Sequence, residues 1–182
     1  MQKRWSVKML TEGGMMIALA TILSYIKVYE APMGGSVTAG SMIPIMLFAI
    51  RWGILPGVTV GGVYGILQFI LKPYFYHPLQ FILDYPLAFG LLGLAGIAYY
   101  INEKESFKGY IWVFLGVLMG ILGRMLSHVL SGVIFFAEYA GDLNPWIYSI
   151  QYNAYYLLPE LIISYIVIAI IWKPLEKAIK AK

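Results

Sequence analysis

Four ionisable side chains stand inside long apolar runs: Asp84 in "LDYPLAFG", Arg124 and His128 in "RMLSHVLSG", and Glu160 in "YYLLPELIIS". A charge at membrane depth costs on the order of 2.5–3.5 kcal/mol on insertion scales, so each such group needs a partner or a task. A carboxylate among aromatic rings is a receptor for an organic cation, through ion pairing and cation–π attraction. Tyr85 beside Asp84, and Tyr74 in the loop before it, supply such rings. Asn153 offers a donor and an acceptor edge suited to a heterocycle such as an aminopyrimidine. It lies in "NPWIYSIQYNAYYLLPE", whose aromatic density exceeds what an interfacial belt requires. His128, Gly132 and Phe136 follow an i, i+4, i+8 spacing and share one helical face, with the glycine leaving room for a flat ligand or for a close helix neighbour.

Two other chemistries compete for these residues. Ser131 and His128 stand three apart on one face, the composition of a nucleophilic dyad. Side chains at i, i+3 of one regular helix aim poorly at each other, and no GxSxG-like turn supplies an oxyanion hole, so no enzyme is expected. A proton-coupled carrier acting alone through Asp84, His128 and Glu160 is the second alternative.

Composition decides what holds these groups. The chain has 182 residues, of which 60% are hydrophobic and 12% charged, too little charge to cover a soluble domain. Its apolar residues come in long runs, and a helix needs roughly 20 of them to cross a bilayer. Six transmembrane helices in one compact all-α bundle are expected, forming a single domain over 1–182. They fall near Met9–Tyr29, Gly40–Trp52, Ile54–Leu71, Leu79–Ile101, Gly109–Phe136 and Trp146–Trp172, with the second and third short. No cleavable leader is expected, since Glu12, Gly13 and Gly14 interrupt the first run. Lys3, Arg4, Lys8, Arg51, Lys104, Lys108, Lys173, Lys177, Lys180 and Lys182 fall on one side, against Lys27 and Lys72 on the other. The positive-inside rule then places both termini in the cytoplasm. The net charge of +4 has this topological explanation, so no nucleic-acid partner is expected. Without cysteine and with two histidines, neither a disulfide framework nor a metal site is expected, and nothing calls for a cofactor.

Depth along straight helices groups the polar residues. At 1.5 Å per residue Asp84, His128 and Asn153 lie about 9, 12 and 11 Å below the outer ends of their helices, as a pocket open to the outside requires. Arg124 and Glu160 lie deeper, about 18 and 21 Å down, and their matching depth suggests a structural ion pair beneath the pocket. A pair between Asp84 and Arg124 is the alternative. The outer loops "KVYEAPMGGSVTAG", "KPYFYHP" and "AEYAGDLNP" can serve as lids or as ordinary turns.

Taken together, "GGSVTAGSMIPIMLFAIRWG", "HPLQFILDYPLAFGLLGLAG", "RMLSHVLSGVIFF" and "WIYSIQYNAYYLLPE" resemble, in order and spacing, the thiamin-specific S-components of energy-coupling factor transporters, the ThiT or YuaJ family. The resemblance implies a multi-pass subunit of a bacterial cell membrane that captures thiamin from outside. It implies that Asp84 faces the thiazolium beside Tyr85, and that His128, Gly132 and Phe136 form the fifth-helix part of the site. Tyr148 and Asn153 would hold the aminopyrimidine, and Tyr74 would be a wall. The first outer loop at Met33, Gly34, Gly35 and Ser36 would close over the ligand. Asp84 stands where some members carry Glu, and Phe136 and Met33 where some carry Trp. As partners, the resemblance implies a transmembrane coupling subunit and two cytoplasmic ATPases. The small face of helix one, Gly14 and Ala18, would dock the coupling subunit. The absence of any Gly-Lys dipeptide, and so of a Walker A loop, accords with energy supplied by such partners.

Overall fold

In a computed structural model of the chain, residues 5–32, 34–101 and 106–180 are described, the last five without side chains. Helix α1 (Val7–Ser24) is started by Ser6, whose hydroxyl accepts from the amide of Met9. A hairpin of β1 (Lys27–Glu30) and β2 (Ser36–Thr38) follows, paired antiparallel, with Tyr29 opposite Val37 and Glu30 opposite Ser36. The first helix therefore ends five residues before the expected Tyr29. Val28 and Tyr29 favour a strand, and Gly34 and Gly35, at φ 95° and 83°, supply the left-handed backbone of the return.

Helix α2 (Ile43–Trp52) has only ten residues, and every side chain from Ile43 to Ile50 is buried. An apolar helix buried all round is a core element, here enclosed by the other helices of the bundle. Gly53, at φ 101°, turns the chain directly into α3 (Ile54–Leu71), which has the expected bounds and is long enough for a span.

The fourth span, Pro78–Tyr100, changes helical type along its length. It runs as α4 (Pro78–Ile82), a π turn (Leu83–Leu87), α5 (Ala88–Leu91) and a 3-10 stretch (Leu92–Tyr100). Pro86 has no amide hydrogen and its ring clashes with the preceding turn, which the wider π turn relieves. Ser127 of the next helix donates to the carbonyl of Leu83 at 2.6 Å and so supports the turn from outside. Glycines let α3 approach this span: a Cβ on Gly61 would stand 2.3 Å from the Phe89 carbonyl oxygen, and one on Gly65 2.4 Å from that of Tyr85.

Two long helices complete the bundle, α6 (Phe107–Phe135) and α7 (Pro145–Lys180), the latter running on through Pro174 past its expected end at Trp172. Among the described residues, five helical spans are long and apolar enough to cross a membrane, and α2 is the shorter sixth. Apolar side chains such as Leu10, Ile66, Leu126 and Ile162 point outward to lipid.

Candidate functional site

The π turn places Asp84 on the wall of a cavity of about 840 Å³ that runs inward from the hairpin end of the bundle. Three donors hold its carboxylate. Gln80 Nε2, one turn earlier, donates to Oδ2 at 2.7 Å, Ser131 Oγ donates to Oδ2 at 2.9 Å, and His128 Nδ1 lies 3.0 Å from Oδ1. Arg124 Nε donates to His128 Nε2 at 3.2 Å. That contact needs a lone pair on Nε2, so Nδ1 carries the proton and His128 is a neutral donor to Asp84. Three donors thus converge on the Asp84 carboxylate within an aromatic-lined cavity.

The arginine itself stacks over the Phe89 ring, 4.1 Å from its centroid. The expected Arg124–Glu160 ion pair does not form. Glu160 Oε1 instead accepts from the Thr38 amide at 2.6 Å and from Thr38 Oγ1 at 2.8 Å. Equal depth does not decide azimuth, and the hairpin brings to Glu160 a pair of donors that no helix-only reading contains. The alternative Asp84–Arg124 pair does not form either, because His128 stands between them. Around the whole cavity three carboxylates, Glu30, Asp84 and Glu160, meet three cations, Lys27, Lys72 and Arg124; the two lysines hold Glu30 at the hairpin, away from Asp84.

Aromatic side chains make the rim. Tyr74 and Phe136 face each other at 6.0 Å between centroids, with Tyr76 5.9 Å from Phe136. The Tyr85 hydroxyl accepts from the Tyr74 amide at 3.1 Å and donates to the Lys72 carbonyl at 3.3 Å, so Tyr85 pins the loop that carries Tyr74. On α7, Tyr148 stacks on Tyr152 at 6.1 Å. Asn153 is buried; its Nδ2 donates to the Ser149 carbonyl at 2.9 Å, and its Oδ1 accepts a short hydrogen bond from the Tyr156 hydroxyl. The hairpin is the last wall. Glu30 bonds Lys27 at 2.8 Å and also Lys72, and these two ammonium groups hold its carboxylate down to about 2, with Lys27 the larger cause.

Asp84, Tyr85, His128, Gly132, Phe136, Tyr148, Asn153 and Tyr74 thus line one cavity, joined by Gly34, Gly35 and Ser36 of the hairpin. Met33 lies outside the described residues. The space beside Gly132 is occupied by Ser149, whose Oγ would stand 2.2 Å from an added Cβ, so this glycine serves helix packing. Ser131 is committed to Asp84 rather than to His128, and no Ser–His nucleophile forms between them. Gln80, completely buried, was not singled out from the sequence. Its position four residues before Asp84, on the same helical face, was the available signal. Tyr156, from the aromatic-dense start of the last helix, also lines the cavity, as do Thr38, Ser41 and Tyr64, which nothing local in the sequence marks.

Fold and cavity together define a multi-pass membrane protein with a preformed small-molecule site opening at one end of its bundle. The family model described as thiamine transporter protein (Thia_YuaJ) matches residues 10–180. Thiamine transporter ThiT of Bacillus subtilis (strain 168) is 36% identical, with 94% of each chain covered. Thiamine transporter ThiT of Lacticaseibacillus paracasei is 30% identical, covering 94% of this chain and 90% of that one. Among solved structures, ThiT from Listeria monocytogenes superposes with TM-score 0.82 at 28% identity, over 94% of this chain and 96% of that one. The S component of a bacterial ECF transporter shares the fold at TM-score 0.63 and 18% identity, over 95% and 98% of the two chains. The chain belongs to the thiamine transporter protein family and is a multi-pass bacterial membrane protein.

Proposed function

We propose that this protein is the thiamin-capturing S-component of an energy-coupling factor importer and has no catalytic activity of its own. The observation that carries the reading is the Asp84 carboxylate, oriented by Gln80, His128 and Ser131 on the wall of an aromatic-rimmed cavity. Thiamin presents one permanent cation and a flat heterocycle, which match the charge and the rings. In this reading the thiazolium sits beside Asp84, and the aminopyrimidine lies toward Tyr148 and Asn153. Tyr74, Tyr85 and Phe136 wall the entrance, and the hairpin residues Gly34, Gly35 and Ser36 lie over it. The same-family transporters ThiT support the ligand by their names. The charge bias of the loops supports an extracellular mouth and cytoplasmic termini. Delivery inward is assigned to a transmembrane coupling subunit and two cytoplasmic ATPases, with Gly14 and Ala18 of α1 as the docking face.

The test is calorimetric titration of the purified protein with thiamin, for the parent and for Asp84→Asn. Removing one partner of a buried charge pair costs about 3–5 kcal/mol, so affinity should fall by at least about a hundredfold. An Asn variant that binds like the parent would remove Asp84 from the role of cation receptor.

A further inference from the structure

Glu160 is 1% exposed, deep in the bundle, and among the described residues no cation lies within ion-pairing distance. Its bonds lead instead across 122 residues of sequence to Thr38, the last residue of β2. Both Thr38 donors converge on Oε1, while Oε2 has no hydrogen-bond partner among the described residues, so the hydrogen bonds this carboxylate receives come from Thr38. Thr38 is itself locked in place: its Oγ1 accepts from the Ser41 amide at 3.0 Å and lies 2.9 Å from Ser41 Oγ.

Two further contacts lie on the same face of α7. Tyr152, Tyr156 and Glu160 recur at i, i+4, i+8. The Tyr152 hydroxyl donates to the Gly34 carbonyl at 2.7 Å. Gly35 lies so close to the Tyr156 ring that a Cβ there would stand 2.5 Å from Cε1. The Tyr156 hydroxyl in turn donates to Asn153 Oδ1. One stripe of α7 therefore grips the hairpin at three points, and its middle tyrosine orients the asparagine on the cavity wall.

We infer that Glu160 is a positioning residue for ligand capture: by anchoring Thr38 it sets strand β2 against α7 and so fixes the cavity wall formed by the hairpin, Tyr156 and Asn153. It touches neither Arg124 nor the ligand in this role. The inference rests on the capture of thiamin proposed above.

The test measures thiamin affinity and dissociation rate for the parent, Glu160→Ala, Glu160→Gln, Thr38→Val and the Glu160→Ala/Thr38→Val double variant. Hydrogen exchange at the Thr38 amide is followed alongside. Glu160→Ala should weaken binding about 10–100-fold, chiefly through faster dissociation, and should deprotect the Thr38 amide. Thr38→Val, which loses one of its two bonds to Glu160 together with the hydroxyl's contacts to Ser41, should weaken binding about 3–10-fold, and the double variant should lose less than the product of the two single losses. Glu160→Gln retains the accepting oxygen and should stay within about threefold of the parent. Loss in Glu160→Gln equal to that in Glu160→Ala, with Thr38→Val like the parent, would mean that the charge acts directly on the ligand and overturns the inference. A Glu160→Ala protein with parental affinity overturns it as well. If Glu160→Ala does not fold, Thr38→Val and Glu160→Gln decide: a parental Thr38→Val, or a weakened Glu160→Gln, overturns it. A parent that ignores thiamin overturns the function on which the inference stands, and a parent that binds normally beside an unaffected Glu160→Ala overturns the inference alone.

Discussion

A carboxylate held by Gln80, His128 and Ser131 is oriented before any ligand arrives, and that preorganisation spares an incoming cation the ordering of its receptor. Of the three donors Gln80 is tied most widely, since it also accepts from the Tyr76 amide at 3.1 Å and donates to the Tyr74 carbonyl at 3.3 Å. Gln80→Leu keeps the volume but removes all three bonds. Hydrogen bonds to charged groups contribute about 1.5–3 kcal/mol, so thiamin affinity should fall about 10–100-fold by calorimetry. Parental affinity would show that His128 and Ser131 orient Asp84 without it. Much of this residue set was legible in the sequence, because ionisable groups are rare at membrane depth and depth along a helix follows from counting. Depth leaves azimuth open, however. It groups Asp84, His128 and Asn153, which line one cavity, but it also pairs Arg124 with Glu160, whereas Arg124 bonds His128 on its own helix and Glu160 bonds Thr38 of the hairpin.

At the scale of elements, the π turn is what aims Asp84, and α3 is what backs the turn. Gly65 lies against it so closely that an added Cβ would stand 2.4 Å from the Tyr85 carbonyl oxygen and 3.0 Å from the Pro86 Cα. These are backbone atoms, which cannot swing aside as a side chain would. Gly65→Ala should therefore push the turn outward, costing about 1–3 kcal/mol by overpacking and lowering thiamin affinity severalfold at least. Gly62→Ala, one turn away with its nearest neighbour at 3.6 Å, should leave affinity unchanged and serves as the control. Thermal unfolding with and without thiamin separates the two effects, and equal behaviour of the two variants would show that the turn is not held from behind. Helix lengths were readable from apolar runs, but the local change of helical type was not. Pro86 signals only that a regular α turn is disfavoured there. Whether the chain kinks, breaks or widens depends on the Ser127 hydroxyl and the α3 glycines, which meet it only in the folded bundle. The hairpin is hidden for another reason: Val28 and Tyr29 favour a strand, but charge, proline and glycine mark the segment as a loop, and its pairing with β2 forms only in the folded chain.

For the whole molecule, the distribution of burial separates a ligand-holding side from a side left free for a partner. The fourth span is 50% buried within the protein, whereas α1 is only 17% buried although it is a full span. Gly13 of α1 faces inward, where a Cβ would stand 3.1 Å from Val60 and 3.5 Å from Phe48. Gly14 meets nothing within 4 Å, and Ala18, one turn on, is exposed on the same face. Small residues one turn apart let a foreign helix approach closely, and the chain itself has no Walker A loop to power transport. The cavity and this face involve different residues, so binding and delivery should be separable by mutation. Gly14→Trp should leave the thiamin affinity of the purified protein within about twofold of the parent, since the side chain enters open space. With the coupling subunit and ATPases present in liposomes, the same variant should lose at least about nine-tenths of ATP-driven thiamin uptake, because a bulky ring on that face blocks helix approach. Unimpaired uptake would move the docking surface elsewhere on the bundle. Loss of binding together with uptake would show that α1 supports the cavity as well as the partner.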